Sequence, residues 1–355
     1  MTDISKINSV VLAAIAKYTG VAVENIGGSI GADWLHESEF TVFELAELDS
    51  YTNTSLDGAR AVAISGNIAY VASIIADSIT SINISNPSNL IELDTYTNTS
   101  LDGAIGITIS GNVAYVVSSI ADSITSIDIS NPSNLVELDS YTSASLNGAR
   151  DIVISGNIAY VVSTTADSIT SIDISNPSNL TQLDTYTNTS LNSAQGIAIS
   201  GNVAYVVSYD ADSITSIDIS NPSNLTELDT YTSASLNGAY GITISGSVAY
   251  VVSSAADSIT SIDITDPSNL IELDTYTNTS LNSAYGITIS GSVAYVVSYI
   301  ANSITSINIS DPSNLIELDS YTSTSLNGAI GITISGNVAY IVSLTADSIT
   351  SINIS

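Results

Sequence analysis

The hydrophobic and polar positions of this chain fall into one pattern that returns every 45 residues. An Ala-Tyr pair marks it, with the tyrosine at Tyr70, Tyr115, Tyr160, Tyr205, Tyr250, Tyr295 and Tyr340 and no insertion or deletion between copies. In one unit Ala104-Ile105-Gly106-Ile107-Thr108-Ile109-Ser110 is followed by a Gly111-Asn112 turn and by Val113-Ala114-Tyr115-Val116-Val117-Ser118. After a loop come Ser123 to Ser130, the connector Asn131-Pro132-Ser133-Asn134, and Leu135 to Thr142. Four short runs rich in β-branched and aromatic residues, each bounded by turn formers, predict four strands. Gly-Asn is short enough to join two antiparallel strands. Proline fixes φ in the connector, so that segment is a turn. Helical periodicity is absent across the array.

A four-stranded antiparallel unit of this length is the size of a propeller blade. Alternation is loose, as at Ile124, Ile127 and Ile129, which fall on both faces of one strand. A blade buried on both faces by its neighbours reads this way, whereas a one-sided sheet alternates strictly. The array begins in a fourth strand, Leu45-Ala46-Glu47-Leu48-Asp49-Ser50-Tyr51-Thr52, and stops at Ser355 after a third strand. It falls four residues short of seven full periods, and the missing four are one connector. The expectation is an all-β, seven-bladed propeller over 45–355, its last blade completed by strand 45–52 so that no edge is left unpaired.

The stretch Gly111-Asn112-Val113-Ala114-Tyr115-Val116-Val117, with Ser126-Ile127-Asp128-Ile129-Ser130-Asn131-Pro132, resembles the LVIVD-type propeller repeat. The resemblance covers 45–355. It implies the same fold and a surface or binding module without a shared active site.

Residues 1–44 stand outside the array as a separate segment. Ile4-Ser5-Lys6, Ile15-Ala16-Lys17 and Ile26-Gly27-Gly28 recur at a spacing of 11, and Ser9-Val10 and Gly20-Val21 follow the first two. This resembles the short Ile-x-Lys-x-x-Gly-Val modules that head tail and other virion proteins of bacteriophages, although Gly27-Gly28 departs from the pattern in the third copy. The resemblance implies docking onto other virion or surface proteins, through Ile4, Ile15, Ile26 and Trp34. The alternative is a small helical cap packed on the propeller.

Composition narrows the partners. Apolar residues make up 44% and charged residues only 11%, so Ser, Thr and Asn must cover the surface. Four basic residues against 35 acidic ones give a net charge of −31, a field that repels nucleic acid and anionic lipid. There is no cysteine, which excludes disulfides and thiolate metal sites. No apolar run reaches the 18 or so residues of a membrane helix, so no membrane insertion is expected. Ser9 to Ala16 is a weak match to a signal-peptide core, with Asp3 where basic residues belong and Lys17 directly after it.

Candidate chemistry is sparse. The single histidine, His36, lies beside Trp34 outside the array, so any nucleophile–histidine arrangement would have to pass through it. Asp49, Asp94, Asp139, Asp184, Asp229, Asp274 and Asp319 recur in the fourth strands. A glycosidase needs two carboxyl groups in unlike environments, and repetition supplies seven similar ones, so these read as structural. No EF-hand spacing is present, and no cofactor or metal is expected.

Where copies are nearly identical, the positions that differ carry the information. The start of the first strand reads Arg60, Ile105, Arg150, Gln195, Tyr240, Tyr285, Ile330. The loop after the second strand reads Ile74-Ile75, Ser119-Ile120, Thr164-Thr165, Tyr209-Asp210, Ser254-Ala255, Tyr299-Ile300, Leu344-Thr345. Both registers fall at one end of the blade, around the channel mouth. Arg60 and Arg150 are the array's only basic residues, and Tyr209, Tyr240, Tyr285 and Tyr299 its only tyrosines outside the scaffold positions. With Asp151 and Gln195 they form the expected ligand site, an arginine-lined sector on blades one and three and aromatic platforms on blades four to six. Tyrosine and arginine are enriched at binding hot spots. The functional expectation is a non-enzymatic virion protein presenting this face to a glycan, peptide or protein. The rivals are a purely architectural capsid or fibre subunit and a secreted cell-surface adhesin.

Overall fold

The computed structural model describes residues 44–355, and the expected architecture is the one observed. Twenty-eight strands form seven four-stranded antiparallel sheets, joined by turns and three-residue 3-10 segments. Blade two is representative, with β6 (Ala104–Ser110) innermost, then β7 (Val113–Ser118), β8 (Ser123–Asp128) and β9 (Val136–Thr142). Gly111 has φ +59° in the tight turn between the first two strands, a conformation that glycine adopts without a Cβ clash. Each 3-10 segment buries one leucine completely, Leu101 between blades one and two. The core lies between blades, as loose alternation implied. One cluster joins Tyr115, Val117 and Ile124 of blade two to Ala159, Val161 and Ile172 of blade three.

Closure follows from β1 (Ala46–Thr52), which pairs antiparallel with β28 (Ser348–Asn353) from Ala46 opposite Asn353 to Thr52 opposite Ser348. It supplies the fourth strand of blade seven.

Neighbouring blades are tied by polar contacts that recur around the ring. The fourth-strand aspartates accept a backbone hydrogen bond from the next blade, Asp94 from Leu135 N and Asp139 from Leu180 N, both at 2.7 Å. Asp319 closes this series on Leu45 N at 3.1 Å. Loop residues make a second series at the other end: Asp122 Oδ1 accepts from Gly148 N at 2.9 Å, and Asp347 Oδ1 from Gly58 N of blade one at 3.0 Å. In a third, Tyr96 Oη and Ser100 Oγ of one blade both donate to Glu137 of the next. Scaffold tyrosines donate to the neighbouring backbone, Tyr340 reaching Ile84 O across the closure. Much of the acidic excess is therefore spent satisfying donors at blade joints, which is the structural role expected for the aspartates.

Candidate functional site

The innermost strands of all seven blades line a central cavity of about 220 Å³. Strand pairing fixes which residues reach its mouth. Ala104 lies opposite Ser118, so the position after Ala104 and the loop after Ser118 share one end of the blade. The two variable registers do lie together.

The arginine-lined and aromatic sectors expected around the channel mouth come into contact with one another there. Arg60, Arg150, Asp151, Gln195, Tyr240 and Tyr285 all line the channel itself. Both arginines meet one aromatic ring. The Arg60 guanidinium carbon is 5.9 Å and that of Arg150 5.0 Å from the Tyr240 centroid. Arg60 Nη2 also donates to Tyr240 Oη. The Tyr240 and Tyr285 rings meet edge to face at 4.1 Å between centroids, and Tyr285 lies 5.7 Å from Tyr299. Tyr299 Oη shares a hydrogen bond with Thr345 Oγ1 at 3.3 Å. A continuous aromatic chain thus runs from the channel to the loops of blades six and seven. Tyr209 stands apart, 37% exposed on blade four, held through its backbone N–H to Ser193 O. The expected docking residues Ile4, Ile15, Ile26 and Trp34, with His36, lie outside the described residues.

The electrostatics follow from enclosure. Both arginines keep part of their surface open to the channel, but the surrounding ring displaces most of their water. Burial lowers Arg60 to about 10, only partly offset by Tyr285 and Tyr299. Arg150 is also lowered, by burial and then by repulsion from Arg60. Asp151 is pushed up to about 6 by burial, although Ile152 N (2.8 Å) and Ile197 N (3.1 Å) donate to its carboxylate. Its second contact crosses to blade four. Gln195 donates through Nε2 to Ser193 Oγ at 3.3 Å, while its Oε1 is buried without a partner.

Sequence reasoning missed the glycines that follow the variable position. A Cβ on Gly241 would sit 2.3 Å from Tyr285 O, and one on Gly196 2.5 Å from Tyr240 O. These glycines let neighbouring inner strands approach closely, which sets how narrow the channel is. Their recurrence after the variable position in five of the seven copies was the available signal. Among the described residues, no three His, Cys, Asp or Glu side chains converge as metal ligands would.

The LVIVD repeat matches this chain six times, at 58–98, 103–143, 148–188, 192–233, 238–278 and 283–323. The chain belongs to the LVIVD repeat family. The seventh unit, whose fourth strand comes from the other end of the sequence, lies outside these matches. No curated protein matches the chain in sequence. Among solved structures it is similar to virginiamycin B lyase from Staphylococcus aureus, with a TM-score of 0.68 and 16% identity over 88% of this chain and 100% of that one. It is also similar to a periplasmic gluconolactonase from Pseudomonas aeruginosa, with a TM-score of 0.66 and 14% identity over 75% and 86% of the two chains. The computationally designed Ika8 protein gives a TM-score of 0.60 at 12% identity, over 87% and 100%. At these identities the likeness is one of fold.

Proposed function

We propose that this chain is a non-enzymatic binding propeller of a virion or cell surface, which holds its ligand at the end of the channel where the repeat breaks down. One observation carries the reading. Over an array repeated almost without change, the residues that vary most strongly converge in space as two arginines on a tyrosine, with two further tyrosines in contact behind it. Drift at free surface positions would scatter variation over the exposed loops and would not gather long side chains into one half-buried cluster. The virion setting rests on the resemblance of the N-terminal segment to bacteriophage modules. Asp151 is the one carboxyl lining the channel, and its oxygens are engaged by backbone N–H groups, an arrangement suited to support rather than to proton transfer.

The test exploits the repeat. Isoleucine already occupies the Tyr240 and Tyr285 register on blades two and seven, so Tyr240→Ile and Tyr285→Ile import a side chain the channel accommodates. Binding to host cells or to a glycan array should weaken by about 1–3 kcal/mol for each tyrosine that is a hot spot. Equal binding by the double variant and the wild type refutes a ligand site here.

An architectural role has its own support. Ile75, Ile120 and Ile300, on blades one, two and six, are each at least 60% exposed in the loops at the same end of the blades, apolar surface suited to a protein neighbour. Assembly of particles or fibres that fails on Ile75→Ser, Ile120→Ser substitution would favour it.

A further inference from the structure

We propose that the channel mouth binds a sugar ring carrying an oxyanion, with its carboxylate or ester oxygens held between Arg60 and Arg150 and its ring set against Tyr240 or Tyr285. This rests on the ligand-site reading above and adds the chemistry of the ligand. The chain carries −31 overall, yet its only two arginines come from different blades to the same tyrosine. Among the described residues neither forms an ion pair. The neighbouring carboxylate, Asp151, is turned to the backbone N–H groups of Ile152 and Ile197. Two enclosed cations that repel one another share only the Asp151 carboxylate, which acts on Arg150 without pairing with it, and each guanidinium offers a planar fork that matches an oxyanion. An anion seated between them relieves that repulsion, which adds to the burial that chiefly lowers Arg150.

Size and shape select the rest of the ligand. The cavity of about 220 Å³ is below the range of roughly 300–1,000 Å³ typical of drug-sized ligands, so it takes one terminal ring rather than a length of polymer. The exposed parts of Tyr240 and Tyr285 supply flat apolar surface for the C–H face of such a ring. A peptide ending in a free carboxylate shares the anion but has no ring to place there, and it serves as the competing probe.

The experiment is isothermal titration of the full chain at pH 7 and low salt with D-glucuronate, glucose, inorganic sulfate and N-acetyl-alanyl-alanine. Variants are Arg60→Ile and Arg150→Ile, which take the side chain of blades two and seven, and Arg150→Gln, which takes that of blade four. Glucuronate should bind more tightly than sulfate, and glucose should bind at least 10-fold more weakly. Each arginine change should weaken glucuronate binding roughly 10- to 100-fold, the range for losing a charge-assisted hydrogen bond, while circular dichroism and melting stay those of a folded propeller. If one isoleucine variant misfolds, Arg150→Gln carries the test. Equal glucuronate binding by wild type and Arg150→Gln overturns the proposal, as does tighter binding of the dipeptide than of glucuronate. No binding of any anionic probe overturns it too. In that case a loss of cell binding in the Tyr240→Ile, Tyr285→Ile variant would leave the ligand site standing and remove only its charge preference.

Discussion

If the ring is closed by joints of one kind, cutting the same contact at the closure and in the middle of the array should cost nearly the same. Asp139→Ala removes the acceptor for Leu180 N, and Asp319→Ala the acceptor for Leu45 N. Leu180 is 4% and Leu45 3% exposed, so each loss strands a nearly buried N–H. A hydrogen bond to a charged partner contributes about 1.5–3 kcal/mol, and a half-buried, partly solvated carboxylate belongs at the low end. The expected losses are about 1.5 kcal/mol for Asp139→Ala and about 1 kcal/mol for Asp319→Ala, whose contact is longer at 3.1 Å against 2.7 Å. Urea unfolding followed by far-ultraviolet circular dichroism reads both, and unchanged slopes would show that only stability moved. An open array with a loosely attached first strand predicts a different result. Asp319→Ala would then match the wild type within about 0.3 kcal/mol while Asp139→Ala loses its full amount, and that pair of values would refute closure by equivalent joints.

Gly241→Ala should destabilise the propeller by about 1–3 kcal/mol in the same assay, because its Cβ would meet Tyr285 O at 2.3 Å and force two inner strands apart. Asp151 supplies a pH signature. Its folded pKa of about 6 lies above the unfolded value near 3.9, so its contribution is full below about pH 4 and is lost as pH rises through 6. Melting temperatures between pH 4 and 7 should accordingly fall less steeply for Asp151→Asn than for wild type, and parallel curves would show that the carboxyl titrates normally. A charged Asp151 also opposes an anion beside Arg150, so glucuronate should bind more tightly at pH 5 than at pH 7 in the wild type and with less change in Asp151→Asn.

The blade, the number of blades and the closing strand were all legible because period, turn residues and the split final unit each constrain the same fold. The fourth-strand aspartates were legible as structural by their repetition alone, although repetition did not say that Asp94 serves Leu135 on the next blade. The variable registers were found by difference, and strand pairing put both at one end as expected. The register shift near the start of every inner strand, between Ala149 and Asp151 in blade three, was not legible from the repeat pattern. Nor does one-dimensional spacing show that Arg60 and Arg150, 90 positions apart, are brought to the same ring. Only the radius of the closed ring, set partly by its glycine contacts, determines that.

The pairing of β1 with β28 also settles how the propeller carries load. Thr52 lies opposite Ser348, at the end of the blade where the channel mouth is, while Ala46 lies opposite Asn353 at the far end. A pull entering at Leu45, opposed by a ligand gripped at the mouth, runs along β1 toward the distant end of the molecule. Ladder hydrogen bonds in an antiparallel pair lie across the strands, so that pull strains the whole row at once in shear instead of opening it one bond after another. Asp319 on Leu45 and Glu92 on Tyr51 brace the same strand against the blades on either side. The place where the ring is joined is thus a lap seam, which a pull along β1 loads in shear.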